Sequence, residues 1–325
     1  MPTFHKALLL HNPVAGRDHS ARTRELLSAA QVFRDAGVEV ELEATLAKGE
    51  GGRQARAALD RGFDAIFACG GDGTVFDVLQ GMVHGPEHVA LGVLPLGTAN
   101  VLATDLGLPG DIKAAARATL GYAPRRIAVG QMRWNRMPDQ PEGRTIYFSV
   151  AAGIGAHAEL IYDATTLLKQ RGGFTAYYIA GLSSLMAHDF TAFSAEITLP
   201  DGSQRREQLH ELVAMRVSSF GKWLSRWRPG GGLDHDYLTL ITLKPSSRLA
   251  MFRYATSAIF RGAGPESKSR SARVEFIPAL CVRFRLSDTG PTARLRAQAD
   301  GEVLTGLPAE MSIVPDALTL LMPPR

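Results

Sequence analysis

Between Ala7 and Tyr122 short apolar runs alternate with longer stretches in which apolar residues recur every three or four positions. The runs Ala7 to Leu10, Val38 to Leu42, Ala65 to Cys69 and Val89 to Leu94 have the length of strands in a covered sheet. The stretches near Ala21 to Ala36, Arg53 to Arg61 and Val75 to Val83 carry the helical period. Such alternation predicts a largely parallel sheet wrapped by helices. Beyond Pro124 the rhythm changes. Ile146 to Ala151, Ala195 to Leu199, Leu212 to Val217, Leu238 to Leu243 and Val282 to Leu286 read as antiparallel strands of a sandwich-like unit. Helical segments are expected near Ala156 to Lys169, Ala176 to His188 and Ser247 to Arg261, with a small, polar, basic loop at Gly262 to Ser271. The expected fold is therefore α/β in two domains: an α/β domain over 1–123, rejoined by about 306–325, and a β-rich domain over 124–305, with the active cleft between them. No internal repeat or low-complexity tract interrupts this layout.

In an open parallel sheet, ligands bind beyond the carboxyl ends of the strands, so the four turns that follow the first four strands carry most of the information. They are His11-Asn12-Pro13-Val14-Ala15-Gly16-Arg17, Thr45 to Gly52, Gly70 to Thr74, and Pro95-Leu96-Gly97-Thr98-Ala99-Asn100. Gly70-Gly71-Asp72-Gly73-Thr74 lets the backbone turn tightly and approach a polyphosphate without Cβ interference, and the helix that follows offers its N-terminal N–H groups to an anion. The first half is thus expected to bind a nucleotide. Taken singly, each turn has a plainer reading. Gly70 to Thr74 would serve as a strand-to-helix turn, Gly97-Thr98 as a helix start with a Thr cap, and Asn12-Pro13 as a turn.

At 325 residues and 45% hydrophobic composition the chain exceeds what one core usually holds, which supports two domains. Cys69 and Cys281 are far apart in sequence, and neither a disulfide framework nor a zinc site is suggested; a reducing cytoplasm fits. No apolar stretch approaches the roughly 20 residues needed to span a bilayer, and the first residues lack a signal-peptide layout, so a soluble or peripheral protein is expected. A net charge of +4 would favour anionic lipid, nucleotide or nucleic acid without choosing among them. The basic residues are dispersed and no recognition motif for nucleic acid occurs.

The order of the motifs narrows the reading. With "GGDGT" at 70–74 and "LPLGTANVLA" at 94–103, preceded by "HNPVAG" at 11–16 and followed late by "ADGE" at 299–302, the chain resembles the diacylglycerol kinase catalytic family, which includes bacterial lipid kinases and sphingosine kinases. The resemblance implies ATP and Mg²⁺ as donor and a lipid hydroxyl as acceptor. It places Thr45, the loop Gly70, Gly71, Asp72, Gly73 and Thr74, and Gly97 with Thr98 against ATP, with Asn12 and Asn100 shaping the cleft. Asp72 would accept hydrogen bonds from ribose or backbone groups, or act through a metal. Glu302 matches the family's general base, and Asp300 would help hold metal-bound water. By itself Asp300-Gly301 also reads as a hairpin turn.

The second half departs from the family pattern. Ala128 stands where an Asp is usual, and His157 where many relatives carry Asp; a His there serves equally as a packed structural group. In "GGLDHDYLTLI" at 231–241 the usual Asp-Gly has become His235-Asp236 or Asp236-Tyr237. Family members can bind a structural Mg²⁺ at this loop, and Asp234 and Asp236 would be its oxygen ligands; a solvated turn is the alternative. Trp223 and Trp227 lie among Lys222, Arg226 and Arg228, a combination suited to peripheral contact with an anionic bilayer, with Phe174, Tyr177 and Tyr178 as candidate lining of a lipid pocket; ordinary core burial with a basic rim is the competing reading. The leading expectation is a lipid kinase acting at the inner face of the membrane. An NAD kinase, or a lipid- or nucleotide-binding protein with weakened catalysis, stays open, as does a homodimer.

Overall fold

The computed structural model describes residues 2–13, 19–47, 49–135, 143–155, 192–218, 231–245, 272–286, 296–305 and 308–324. The helical segments expected at 156–169, 176–188 and 247–261, the loop 262–271, residues 14–17, His157, Phe174, Tyr177, Tyr178 and the segment 220–228 lie outside the described residues. The chain divides into two units, residues 1–129 with 314–325, and residues 130–313. The boundaries expected at 123 and 306 fall several residues later because two long strands, β5 (Ala123–Trp134) and β16 (Glu310–Met322), run without a break from one unit into the other.

In the first unit β1 (Lys6–His11), α1 (His19–Asp35), β2 (Glu39–Ala44), α2 (Glu50–Ala58), β3 (Ala65–Gly70), α3 (Asp72–Met82), β4 (Ala90–Pro95), α4 (Val101–Asp105) and α5 (Ile112–Thr119) follow one another. The strands lie in the order β2-β1-β3-β4, every neighbouring pair parallel, and β16 returns to place Leu320 opposite Leu91 of β4, also parallel. β3 and β4 are buried along their whole length, as strands covered on both faces must be. Phe4, Phe33 and Phe67 meet edge to face or tilted at 4.9 to 5.5 Å between ring centres, and Gly92 on β4 leaves the space that the Phe67 ring fills. β2 at the sheet edge carries Glu39, Glu41 and Glu43, paired with Lys6 and Arg61; a charged edge discourages pairing with another chain.

The second unit holds two antiparallel arrays among the described residues. One is a six-stranded sheet in the order β12 (Ala272–Ala279), β11 (Leu238–Pro245), β10 (Glu211–Met215), β7 (Ala151–Gly155), β14 (Arg296–Ala299), β15 (Glu302–Thr305). In the other, β13 (Cys281–Leu286) lies between the start of β16 and β8 (Phe193–Thr198), which pairs with β9 (Gln204–Leu209). The end of β5 pairs with β6 (Arg144–Phe148). The run expected as one strand, Ile146 to Ala151, is split between β6 and β7 at Ser149-Val150, because the N–H groups there turn away from the ladder toward the side chain of Asp300.

Candidate functional site

Parallel register brings the carboxyl ends of the first unit's strands to one edge. His11 stands opposite both Ala44 and Cys69, and Gly70 opposite Pro95. The ladder continues one step past the strands: Thr45 donates its N–H to the His11 carbonyl at 2.8 Å, and Leu96 donates to the Gly70 carbonyl at 2.8 Å. Asn12, Thr45, the 70–74 segment and the 97–100 segment therefore start from a common line. Asn12 and Thr45 are half-buried there, and Gly97 and Thr98 are exposed. Burial holds the His11 imidazole below the usual histidine pKa, which favours its neutral form at this edge.

The 70–74 segment is tighter than the sequence suggested. α3 begins at Asp72 rather than near Val75, so Gly71, in an extended conformation, makes the turn alone. Thr74 donates its N–H to the Gly71 carbonyl at 2.9 Å and is buried with its side chain over Gly70, where any Cβ would collide with it. Gly70 is thus required by Thr74, and Thr74 faces the turn's own backbone. The Val75 N–H also bonds to the Gly71 carbonyl, at 3.2 Å, and Gly71 gives the start of α3 no side-chain cap.

The second glycine loop meets the first without any side chain between them. A Cβ on Gly71 would stand 3.2 Å from Cα of Gly97, and one on Gly97 would overlap Cα of Gly71 and come within 2.7 Å of Asn100 Oδ1. Asn100, in the left-handed conformation at φ 46°, closes its own loop from both sides: Oδ1 accepts the Gly97 N–H at 3.0 Å and Nδ2 donates to the Gly97 carbonyl at 2.8 Å. Asp72 joins the two loops, its Oδ1 accepting the Val101 N–H at 2.7 Å. Burial raises the Asp72 pKa, with backbone N–H groups around 100–102 pulling it back. The bond to backbone expected for Asp72 is thus present. Asp77 adds a further tie that the sequence did not disclose, accepting the Gly49 N–H at 2.9 Å and so fixing the loop after β2 to α3.

In the second unit, Asp300-Gly301 forms a two-residue hairpin between β14 and β15, with φ of 47° and 87° and Ala299 opposite Glu302. The plain hairpin reading is correct as geometry, and the turn type is the one Asp-Gly favours. Asp300 is buried, and each of its oxygens meets two donors. Oδ2 accepts the Ser149 N–H at 2.8 Å and the Ser149 hydroxyl at 3.2 Å; Oδ1 accepts the Val150 and Ala151 N–H groups, both at 2.9 Å. Its own N–H donates to the Ala151 carbonyl at 2.8 Å. Burial pushes its pKa up to about 6 against the pull of these donors. A carboxylate has about four lone-pair positions, so the role expected for Asp300, holding metal-bound water, meets an acceptor already filled by its own chain. Glu302, two residues on, is half-buried on β15 at the sheet's end.

The loop 231–237 is organised by a residue that sequence patterning did not single out. Arg216, fully buried after β10, donates from Nη1 to the carbonyls of His235 at 2.7 Å and Tyr237 at 2.8 Å, and from Nη2 to that of Leu233 at 3.4 Å. The signal was present: an arginine ending the apolar run Leu212-Val213-Ala214-Met215 has little reason to be there unless it has buried acceptors. Asp234 and Asp236 are both exposed, and among the described residues no three His, Cys, Asp or Glu side chains come together as a metal cage. Loop carbonyls turned toward a guanidinium and outward-facing carboxylates do not fit the structural Mg²⁺ expected here. Ala128 is buried on β5, at 1% exposure.

An α/β unit with paired glycine loops and a helix start at its strand edge, joined to a β-rich unit with an acidic hairpin, is the build of a two-domain phosphotransferase. Residues 6–132 match the diacylglycerol kinase catalytic domain, and residues 148–322 match the YegS C-terminal NAD kinase beta sandwich-like domain. The chain belongs to the diacylglycerol kinase catalytic domain family and carries its YegS-type second domain. The diacylglycerol kinase of Bacillus subtilis (strain 168) is 29% identical over 319 residues, 98% of this chain and 96% of that one. A diacylglycerol kinase of Staphylococcus epidermidis (strain RP62A) is 27% identical over 304 residues, 94% of this chain and 88% of that one. In fold, a crystal structure of a diacylglycerol kinase from Bacillus anthracis str. Sterne superposes with a TM-score of 0.65 at 19% identity, covering 99% of this chain and 98% of that one. Yeast NADH kinase complexed with NADH gives 0.51 at 10% identity, covering 100% and 84%.

Proposed function

We propose that the chain is an ATP-dependent lipid kinase that transfers the γ-phosphoryl group of MgATP to a hydroxyl of a diacylglycerol-like, phosphatidylglycerol-like or sphingoid lipid, working at the cytoplasmic face of a membrane. The observation that supports the donor is the meeting of Gly71 with Gly97 at the strand edge. Backbone alone lines that join, so phosphate oxygens can come directly against N–H groups at the start of α3. The names of the relatives support the acceptor class.

In this reading Gly70, Gly71 and Gly73 offer backbone to the phosphates, Thr45 and Thr98 offer hydroxyls, and Asn12 and Asn100 shape the edge. Asp72 and Thr74 hold the loops in place. Glu302 takes the proton of the acceptor hydroxyl as its oxygen bonds to the γ-phosphorus, and the bond to the β-phosphate oxygen breaks with its electron pair leaving on ADP. Magnesium carried on the nucleotide neutralises phosphate charge during that transfer. Asp300 keeps the Glu302 hairpin shaped through its bonds to 149–151.

Purified protein incubated with labelled ATP, Mg²⁺ and a total lipid extract is expected to yield a labelled lipid. Labelled NADP, formed only when NAD is supplied, would replace this reading with that of an NAD kinase; no labelled product from either would leave a binding protein. Glu302→Gln is expected to abolish lipid labelling while ATP binding persists, and full activity in that variant would remove Glu302 as the base.

A further inference from the structure

We infer that Arg216 is the resident cation of the 231–237 loop, and that this loop is built to close without a metal ion. Oxygen atoms from a loop that curls back on itself concentrate negative potential, and something positive must answer it. In this chain three loop carbonyls, those of Leu233, His235 and Tyr237, turn to the Arg216 guanidinium. The two glycines that open the loop, Gly231 and Gly232, adopt φ of 81° and 129°, and the carbonyl of Gly232 accepts the His235 N–H at 3.2 Å, so the curl is fixed by backbone as well. His235 and Tyr237 stack at 4.9 Å over the same turn.

A divalent ion at this place would have to take these carbonyls from the guanidinium and settle beside a buried positive charge, which electrostatics opposes. Asp236 acts instead on Arg216, attracting it at a distance and partly offsetting the burial that lowers its pKa to about 10. The guanidinium still carries its charge at physiological pH, so the loop holds its cation permanently and independently of metal supply.

The consequence reaches the hairpin of Glu302. Arg216 donates its backbone N–H to the Val150 carbonyl at 2.8 Å, and Val150 is one of the three residues whose N–H groups Asp300 accepts. The loop, Arg216, the 149–151 segment and the Asp300 turn therefore form one connected set of hydrogen bonds, buried at its Asp300 end. Arg216 is in this sense a positioning residue.

The test follows thermal unfolding of the full chain without nucleotide, read by tryptophan fluorescence, in EDTA and then in Mg²⁺ or Ca²⁺ alone. Superimposable wild-type curves are expected. Arg216→Ala is expected to lower the melting temperature by roughly 10 °C, and Arg216→Lys by less, because an ammonium keeps the charge and loses the planar fork. The inference falls if wild type melts lower in EDTA, recovers in Mg²⁺, and loses that response in the Asp234→Asn, Asp236→Asn double variant. A metal response that survives in the double variant places the ion elsewhere and leaves the inference standing. An Arg216→Ala protein that melts like wild type overturns it. Should that variant fail to fold, the wild-type and double-variant curves decide the matter.

Discussion

Replacing Asp300 by alanine separates its two physical effects, because the side chain both satisfies buried donors and carries a buried charge. The substitution leaves the N–H groups of Ser149, Val150 and Ala151 without their acceptor. A buried unsatisfied donor costs about 1 to 3 kcal/mol, so three of them cost roughly 6 kcal/mol before water enters the space. Against this, raising the carboxyl pKa from 3.8 to about 6 means that the charged form is disfavoured by about 3 kcal/mol at neutral pH, a burden that alanine removes. The net loss expected at pH 7 is about 3 kcal/mol. The sign of the pH dependence follows from linkage. With the folded pKa above the unfolded one, the native state binds the proton first as pH falls. Wild-type stability contributed by this group therefore rises between pH 6 and pH 4, and the deficit of Asp300→Ala grows by up to about 3 kcal/mol over that window. Urea unfolding read by tryptophan fluorescence is the assay, since Trp134, Trp223 and Trp227 all belong to residues 130–313 and report on the second unit. A deficit that shrinks toward pH 4 would refute the reasoning, showing that the four donors outweigh burial and hold the carboxyl below its ordinary pKa.

Gly97→Ala is expected to push the two glycine loops apart, since the new methyl overlaps Gly71 and crowds Asn100 Oδ1; nucleotide affinity measured by calorimetry should fall at least roughly tenfold, and the melting temperature should drop by about 5 °C. An unchanged affinity would show that the Gly71–Gly97 join does not shape the nucleotide edge. The segment 220–228 is the proposed bilayer contact, so Trp223→Ala with Trp227→Ala should reduce flotation with anionic liposomes, and unchanged binding would discard that patch.

The first unit was legible because its logic is local. Each strand and the turn that follows it are contiguous, and a parallel register then brings those turns to one edge, so the sequence alone groups Asn12, Thr45, Gly70 and Gly97. What the sequence did not disclose even there is contact between loops. Nothing in "GGDGT" or "LPLGTAN" states that Gly71 touches Gly97, or that Asp72 reaches Val101 across 29 positions. In the second unit the short strands β14 and β15 gave no readable run, and the break between β6 and β7 is imposed by an aspartate about 150 positions away. Periodicity cannot report such a cause.

Asp72 and Asp300 make the same point from both units. Each precedes a glycine in a motif that chemistry would assign to a metal or a ligand, and each directs its carboxylate to backbone N–H groups of a different segment, 101 in one case and 149–151 in the other. At Asp300 the following glycine permits the tight turn and the carboxylate binds the turn to its neighbour, whereas Asp72 opens α3 and its carboxylate ties the helix start to the second loop. Acidic residues in such motifs can therefore serve first to fix loop geometry. Glu302 stands on β15, just past the turn that Asp300 fixes. Under the proposed function the proton-accepting role falls to Glu302, while the bonds of Asp300 to 149–151 lead us to expect Asp300 substitutions to act first on stability.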